Sequence, residues 1–343
     1  MSWNKYYRIT PLRVINLAVA LSAVLLIVGF VSLCMGPANI HVKQVLMLFS
    51  DSGSIDQTTW MILFKIRLPR ILLAGVVGFS LSIGGVVFQA LLRNPLAEPF
   101  ILGVSSGSAV GAIAAIFLGL SIDLGVPFLS FMGALFTIFL VMGIGRRQGG
   151  LESSTLLLTG VIVNAFFTAI IMFFISTTSD TRLHSILFWL YGDLSQSRYS
   201  QLSISFPIII VVSAIVYVFS RHLNLLVGGE DSALQMGVDV GLVKWLLFLG
   251  ISLITGIAIS FSGIIGFVGL IVPHLMRMFI GPDHRLLIPA SALGGASFMI
   301  AADTLARTII SPSELPVGVV TAFLGAPFFI YLLKQRGSRW IQN

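Results

Sequence analysis

The chain has 343 residues, of which 57% are hydrophobic and only 10% charged. A soluble domain carries roughly 25% charged residues, so this composition excludes a soluble globular protein and points to an integral membrane protein. Lys and Arg number 20 against 13 Asp and Glu, a balance that suggests nucleic acid until the positions of the charges are considered. The single cysteine, Cys34, excludes an intrachain disulfide framework and any cysteine-based zinc or iron–sulfur site. It reads as a small apolar residue within the first span.

Hydropathy predicts an all-α protein with ten transmembrane spans, at about 14–35, 71–92, 101–120, 126–145, 155–176, 203–220, 242–261, 264–280, 287–306 and 317–334. The first follows Lys5, Arg8 and Arg13. It exceeds the 7–15 residue core of a signal peptide and ends without a small-x-small cleavage site, so it is expected to be a membrane helix. No Ser- or Pro-rich linker divides residues 1–343, which read as one domain. With both termini inside, thirteen Lys and Arg fall on the inner side and seven on the outer. That bias is the positive-inside rule, and it accounts for the net charge without a nucleic acid.

The second span carries Gly75, Gly78, Ser82 and Gly85 three or four residues apart. They make one helical face flat, and in lipid a flat face predicts close contact with another helix. Gln89 is its polar exception. Arg93, Asn94, Pro95, Glu98 and Pro99 then form a polar, proline-locked elbow before a span that opens with Gly103, Ser105, Ser106, Gly107 and Ser108. Arg67, Arg70 and Arg307 lie on the outer side, against the charge bias. They are either interfacial anchors that snorkel to headgroups or a basic face for an acidic protein partner.

In the 177–202 connection, Trp189 and Tyr191 suit an interfacial aromatic belt, and His184 has no ligand partner at i,i+4, so no metal site is expected. Residues 221–241 read as an inner-side pair of short helices around Gly228 and Gly229, with Leu223, Leu225, Leu226, Leu234 and Met236 available to a cytoplasmic protein. Gly263, Gly266 and Gly269 suggest close packing or a broken helix. Asp283, His284 and Arg285 form a second inner elbow, and Asp303 and Arg307, four apart, can pair on a helix.

The chain contains no GxxxxGK[ST], HExxH or GxSxG, so it has neither an ATP site of the P-loop kind nor a nucleophile–base constellation. A catalytic reading therefore has no constellation to stand on, so an enzyme is not expected, and no cofactor is expected in the chain. Ion-coupled carriers keep ionisable groups within the membrane. Here nearly all charges sit at span ends, which weakens that alternative, although Glu98 and Asp303 keep it open.

Seven stretches taken together form a family pattern: RLPR (67–70), QALLRNPLAEPFILGVSSG (89–107), LNLLVGGEDSALQMGV (223–238), GIIGFVGLIVPHLMR (263–277), GPDHR (281–285), ALGGASFMIAADTLAR (292–307) and ELPVGVVTAFLGAPFFIYLL (314–333). The sequence resembles the membrane permease of type II ATP-binding-cassette importers, the iron-siderophore, haem and vitamin B12 group, from about residue 14 to 336. The resemblance implies a ten-helix subunit in the bacterial cytoplasmic membrane that dimerises with a second permease copy or paralogue. Two cytoplasmic P-loop ATPase subunits would bind the ATP, and a periplasmic or lipid-anchored substrate-binding protein would deliver the cargo. Carried over by motif, Leu225, Gly228, Gly229, Glu230, Asp231, Ala233 and Gly237 would couple to the ATPase. Asn94, Leu96, Ser153 and Ser154 would form the cytoplasmic gate, and Arg67, Arg70 and Arg307 would meet the binding protein. Family frequency ranks the cargo as ferric siderophore, then cobalamin, then haem.

Overall fold

All ten apolar segments fold as helices. The computed structural model describes residues 9–38, 40, 42, 45, 56–147, 150–178 and 180–336; the expected flanking charges Lys5, Arg8, Lys43 and Arg339 lie outside the described residues. Helix α1 (Pro11–Cys34) starts on Thr10, whose hydroxyl accepts the Arg13 N–H, with Pro11 at its first turn, a conventional N-terminal pairing. Helix α2 (Gln57–Met61) runs through a π turn (Ile62–Arg67) into α3 (Leu68–Leu91). The helix therefore starts upstream of the expected residue 71. Pro69 lacks an N–H and crowds the preceding turn, and the wider π turn, in which the Leu68 N–H donates to Leu63 O, lets the helix pass it.

The chain continues through α4 (Val104–Phe117), α5 (Gly125–Gly145), a two-residue antiparallel ladder of β1 (Arg146–Arg147) and β2 (Gly150–Leu151), and α6 (Ser153–Thr177). Helix α7 (Asp180–Leu190) occupies the connection in which only an aromatic belt was expected, and it docks on α4 through the fully buried Ile186. Then come α8 (Tyr199–Val218), α9 (Ser220–Val227), α10 (Glu230–Gln235), α11 (Val240–Ser262), α12 (Val268–Ile280), α13 (His284–Ala306) and α14 (Val317–Arg336). Among the described residues seven helices are long and apolar enough to cross a membrane, and α4, α12 and α14 are shorter apolar helices. The end of the bundle at which α1 begins and α14 finishes is called the terminal side below, and its opposite the far side.

Helix α3 is the axis of the bundle. It packs against α13, α11, α12 and α8, and most of its length is buried. The expected flat face makes these contacts. A Cβ at Gly78 would overlap the backbone of Gly295 on α13, one at Gly85 the backbone of Gly269 on α12, and Ser82 faces Gly295. Gly75 has only ordinary contact room, with Ile300 at 3.5 Å. The α4–α5 pair closes in the same way through Gly107, Gly111 and Gly133.

Two helices are short because they begin inside the bundle. The α3–α4 elbow turns back toward the membrane: the Pro99 ring lies 3.3 Å from a Cβ position at Gly84. Gly84 stands seven residues, about 10 Å, above the end of α3. Likewise Gly160, a similar distance into α6, abuts Ile101 and Leu102. Helix α12 starts beside Gly85 for the same reason. Such non-helical backbone is tolerated at depth only where protein surrounds it.

Filling the α3–α13 contact should separate the two helices. Gly78→Val is expected to destabilise the detergent-solubilised protein by about 1–3 kcal/mol, read as a lower thermal unfolding midpoint. Gly29→Ala, at a position with no neighbour within 4 Å, should leave the midpoint unchanged.

Candidate functional site

On the terminal side, α9 and α10 form a helical hairpin. Gly228 and Gly229 turn the chain, and Gly229 takes φ 124° and ψ 143°, a conformation open to glycine rather than to side chains with a Cβ. Leu223, Leu226 and Ala233 are buried against the bundle, and Leu225 is half-buried on it. The outward face carries Val227, Leu234 and Met236, 51%, 55% and 68% exposed, beside Gly228, Asp231 and Gly237. Of the apolar residues singled out from sequence, Leu223, Leu225 and Leu226 therefore hold the hairpin to its own chain, whereas Leu234 and Met236, with Val227, form its free apolar surface.

Glu230 faces inward. Its carboxylate pairs with Lys244 Nζ of α11 at 3.0 Å and with the Arg93 guanidinium of the elbow at 3.5 Å. Asn224 of α9 forms a second tie. Its amide nitrogen donates to Asp283 at 3.0 Å and its oxygen accepts the His284 N–H at 2.9 Å. Burial works against the ionised Asp283, but hydrogen bonds from Arg285 and Asn224 hold its carboxyl down at about 2, so this clasp is ionised at any neutral pH. The hairpin is thus fastened to both inner elbows. Lys244 carried a signal in the sequence, a lone cation inside an apolar span; Asn224 carried none, because an Asn in a helical loop reads as surface.

The elbow itself is built by local turns. The Asn94 N–H donates to Gln89 O, its side-chain oxygen accepts the Leu96 N–H at 2.9 Å, and the Ala97 N–H returns to Asn94 O. Leu96 stays 43% exposed at the tip. Ser153 Oγ donates to Leu91 O at 3.2 Å, which brings the start of α6 against the end of α3. Ser154 instead donates to the neighbouring Glu152 carboxylate at 2.8 Å and remains exposed. Gln89 joins the elbow to α12, donating to Gly269 O and accepting from Arg277 at 2.9 Å.

At the far side Arg67, Arg70 and Arg307 are 3%, 6% and 2% exposed. Arg67 donates to Leu33 O and Ala38 O, both at 2.6 Å. Arg70 spans Asp303 at 2.9 Å and Glu314 at 2.6 Å. Arg307 reaches Ser32 O at 2.8 Å and Asp303 at 3.5 Å. The expected Asp303–Arg307 pair is present, but Asp303 also serves Arg70, which is 233 residues away and invisible to any spacing argument. In this conformation the three arginines stitch α1, α3, α13 and the 308–316 segment together rather than presenting their guanidinium groups outward. Asp303, neutralised by two cations and fully buried, is accounted for as structure.

Between the α7–α8 connection, the 263–267 break and α14 lies an apolar cleft of about 600 Å³, lined by Tyr191, Ile264, Gly266, Val319, Phe323 and Pro327 among others. No charged side chain lines it. Tyr191 is the one lining residue with a polar side chain.

These features have counterparts in known proteins. The model of the FecCD transport family matches residues 24–335. The chain is 46% identical to the cobalamin import system permease of Halobacterium salinarum over 83% of this chain and 76% of that one. It is 38% identical to the hemin transport system permease of Yersinia pestis, covering 92% and 96%. A solved structure described as a metal-chelate type ABC transporter in an inward-facing conformation superposes with a TM-score of 0.82 at 34% identity, covering 93% of this chain and 99% of that one.

Removing the shared acid of the far-side cluster would leave two buried guanidinium groups underpaired. Asp303→Ala is expected to cost about 3–5 kcal/mol, measured as a loss of thermal stability in detergent. Arg198→Ala, at the exposed Asp123 pair, should cost less than about 1 kcal/mol.

Proposed function

The chain belongs to the FecCD transport family of importer permeases, and on that premise we propose that it pairs with a second permease copy or close relative to carry a bulky metal chelate into the cell. Two cytoplasmic ATPase subunits dock, one on the α9–α10 hairpin of each permease. The terminal side is cytoplasmic, in the cytoplasmic membrane, and a substrate-binding protein delivers cargo at the far side. The observation that carries this reading is the hairpin itself. It is clamped to both elbows from within, yet it leaves Val227, Leu234 and Met236 uncovered. Apolar side chains on a solvent-facing hairpin favour a protein partner.

The elbow tip at Asn94 and Leu96, backed by Ser153 and Ser154, serves as the cytoplasmic gate. Displacement of the hairpin moves it, because only contacts that differ between states can drive a transition. At the far side Glu314, whose side chain is 34% exposed, holds Arg70. A carboxylate of the binding protein reaches this cluster by replacing Glu314 on Arg70. Family frequency put ferric siderophore first among cargoes. The cobalamin relative supports a corrinoid ahead of it, with haem third. Selection among them falls to the binding protein.

Co-purification tests the central contact. The wild-type chain, expressed with its ATPase, should retain it in equal proportion, and Leu234→Asp with Met236→Asp should reduce the recovered ATPase about tenfold while the permease still elutes as a single species. Full recovery with both substitutions would sink the docking assignment. In vesicles holding the complete complex, ATP-driven uptake of labelled cobalamin that an iron chelate fails to compete out supports the corrinoid; the reverse pattern restores the siderophore.

A further inference from the structure

Helix α9 sits on the bundle through a cluster of side chains around the start of α13. Asp283 caps α13, its carboxylate accepting the Arg285 N–H at 3.0 Å. The His284 N–H lies in the first turn of α13, where backbone donors have no partner within their own helix. Asn224 supplies that partner from α9. Its side-chain oxygen accepts the His284 N–H at 2.9 Å, and its amide nitrogen donates to Asp283 at 3.0 Å. Turning the amide over would set its NH2 group against a backbone N–H and its oxygen against a carboxylate, so only one orientation is compatible with its neighbours. The same oxygen stands 2.7 Å from Nδ1 of the His284 ring. Since that oxygen can only accept, Nδ1 carries the proton. The ring is 4% exposed, and its other nitrogen, Nε2, is buried with no hydrogen-bond partner. A proton there would be a buried donor without an acceptor, a costly arrangement. The ring is therefore neutral, in a single tautomer.

We propose that His284 is a positioning residue for ATPase docking: held as the Nδ1–H tautomer, it locks the Asn224 amide and so fixes how α9 sits on the start of α13. His284 is buried and does not meet the ATPase itself; it acts through Asn224. Leu223 and Leu226 hold α9 down, but apolar burial is non-directional and leaves the helix free to roll on those two side chains. A hydrogen bond demands alignment as well as proximity. Asn224 receives two donors and gives one, so it sets the rotation of α9. Val227 follows three residues later, and Leu234 and Met236 lie just beyond the glycine turn. The rotation of α9 therefore sets where the exposed apolar residues point. Loss of the lock leaves the hairpin attached but misaligned. This inference rests on the importer reading above, since it requires an ATPase to be the partner of that surface.

Two measurements on the complete chain in lipid nanodiscs test this. In nitrogen NMR of a histidine-labelled sample at neutral pH, the His284 ring should show a protonated Nδ1 and an unprotonated Nε2. Its signals are assigned by their loss in His284→Asn or their shift in Asn224→Ala. The affinity for the partner ATPase is then measured by titration. His284→Asn sets an amide N–H where Nδ1–H stands and should bind like the parent. His284→Gln, whose amide reaches instead to the position of Nε2, should bind about tenfold more weakly, as should Asn224→Ala, the scale of one buried hydrogen bond lost. The double variant His284→Gln with Asn224→Ala should be no weaker than either single one, as expected for residues acting through one contact. A protonated Nε2, a His284→Asn protein as weak as His284→Gln, or a His284→Gln protein that binds like the parent overturns the proposal. A parent that binds no ATPase overturns the importer reading and the proposal with it, so the two failures are distinguishable. The spectrum needs no stable variant at position 284, so it can overturn the proposal even where His284→Gln fails to fold.

Discussion

The architecture depends on how closely other helices approach α3. Lipid tails are as apolar as the side chains they surround, so helices in a bilayer associate through packing and not through exclusion of water. Gly78 and Gly85 let the backbones of α13 and α12 come against α3 with no side chain between them. Once α3 is the axis, its two ends become the two polar regions of the protein, separated by 24 helical residues, about 36 Å. The elbow and hairpin gather at one end and the arginine cluster at the other.

Both regions solve the same problem, since polar groups near the bilayer need partners within the protein. The re-entrant elbow satisfies its backbone through successive short turns: Ala97 to Asn94, Ile101 to Glu98 and Gly103 to Phe100. Backbone without water must do so. The far-side cluster uses charge instead, with Asp303 shared between Arg70 and Arg307 and backbone carbonyls taking up Arg67. The terminal side is fastened more loosely. The Arg93–Glu230 pair is long and partly exposed, and such pairs hold weakly.

Much of this was legible in the chain. Hydropathy located all ten apolar helices because each must bury or face lipid along its length, and the glycine spacing on α3 identified the close-packed face because a flat face has few other uses. The Gly228–Gly229 turn and the proline elbow were equally plain, since glycine admits backbone conformations closed to other residues and proline fixes φ. The pairing of Asp303 with Arg307 followed from helical geometry, at four residues apart. Length misled in two places. The α3 helix extends upstream through a π turn, and α7 forms where only a belt was expected, because helices held by tertiary contacts need no strong periodicity of their own.

What the sequence determined by itself was therefore local: which segments enter the membrane, where they break, and which faces admit a neighbour. The tertiary structure alone decided the partners. Arg70 meets Asp303 across 233 residues, Asn224 meets Asp283 across 59, and Glu230 turns inward to Arg93 and Lys244. It also separated the hairpin's buried Leu223 and Leu226 from its exposed Val227, Leu234 and Met236, and buried three arginines that charge counting had put on a surface. Spacing along a helix reveals only neighbours three or four residues away, whereas these pairings depend on how the bundle closes around α3.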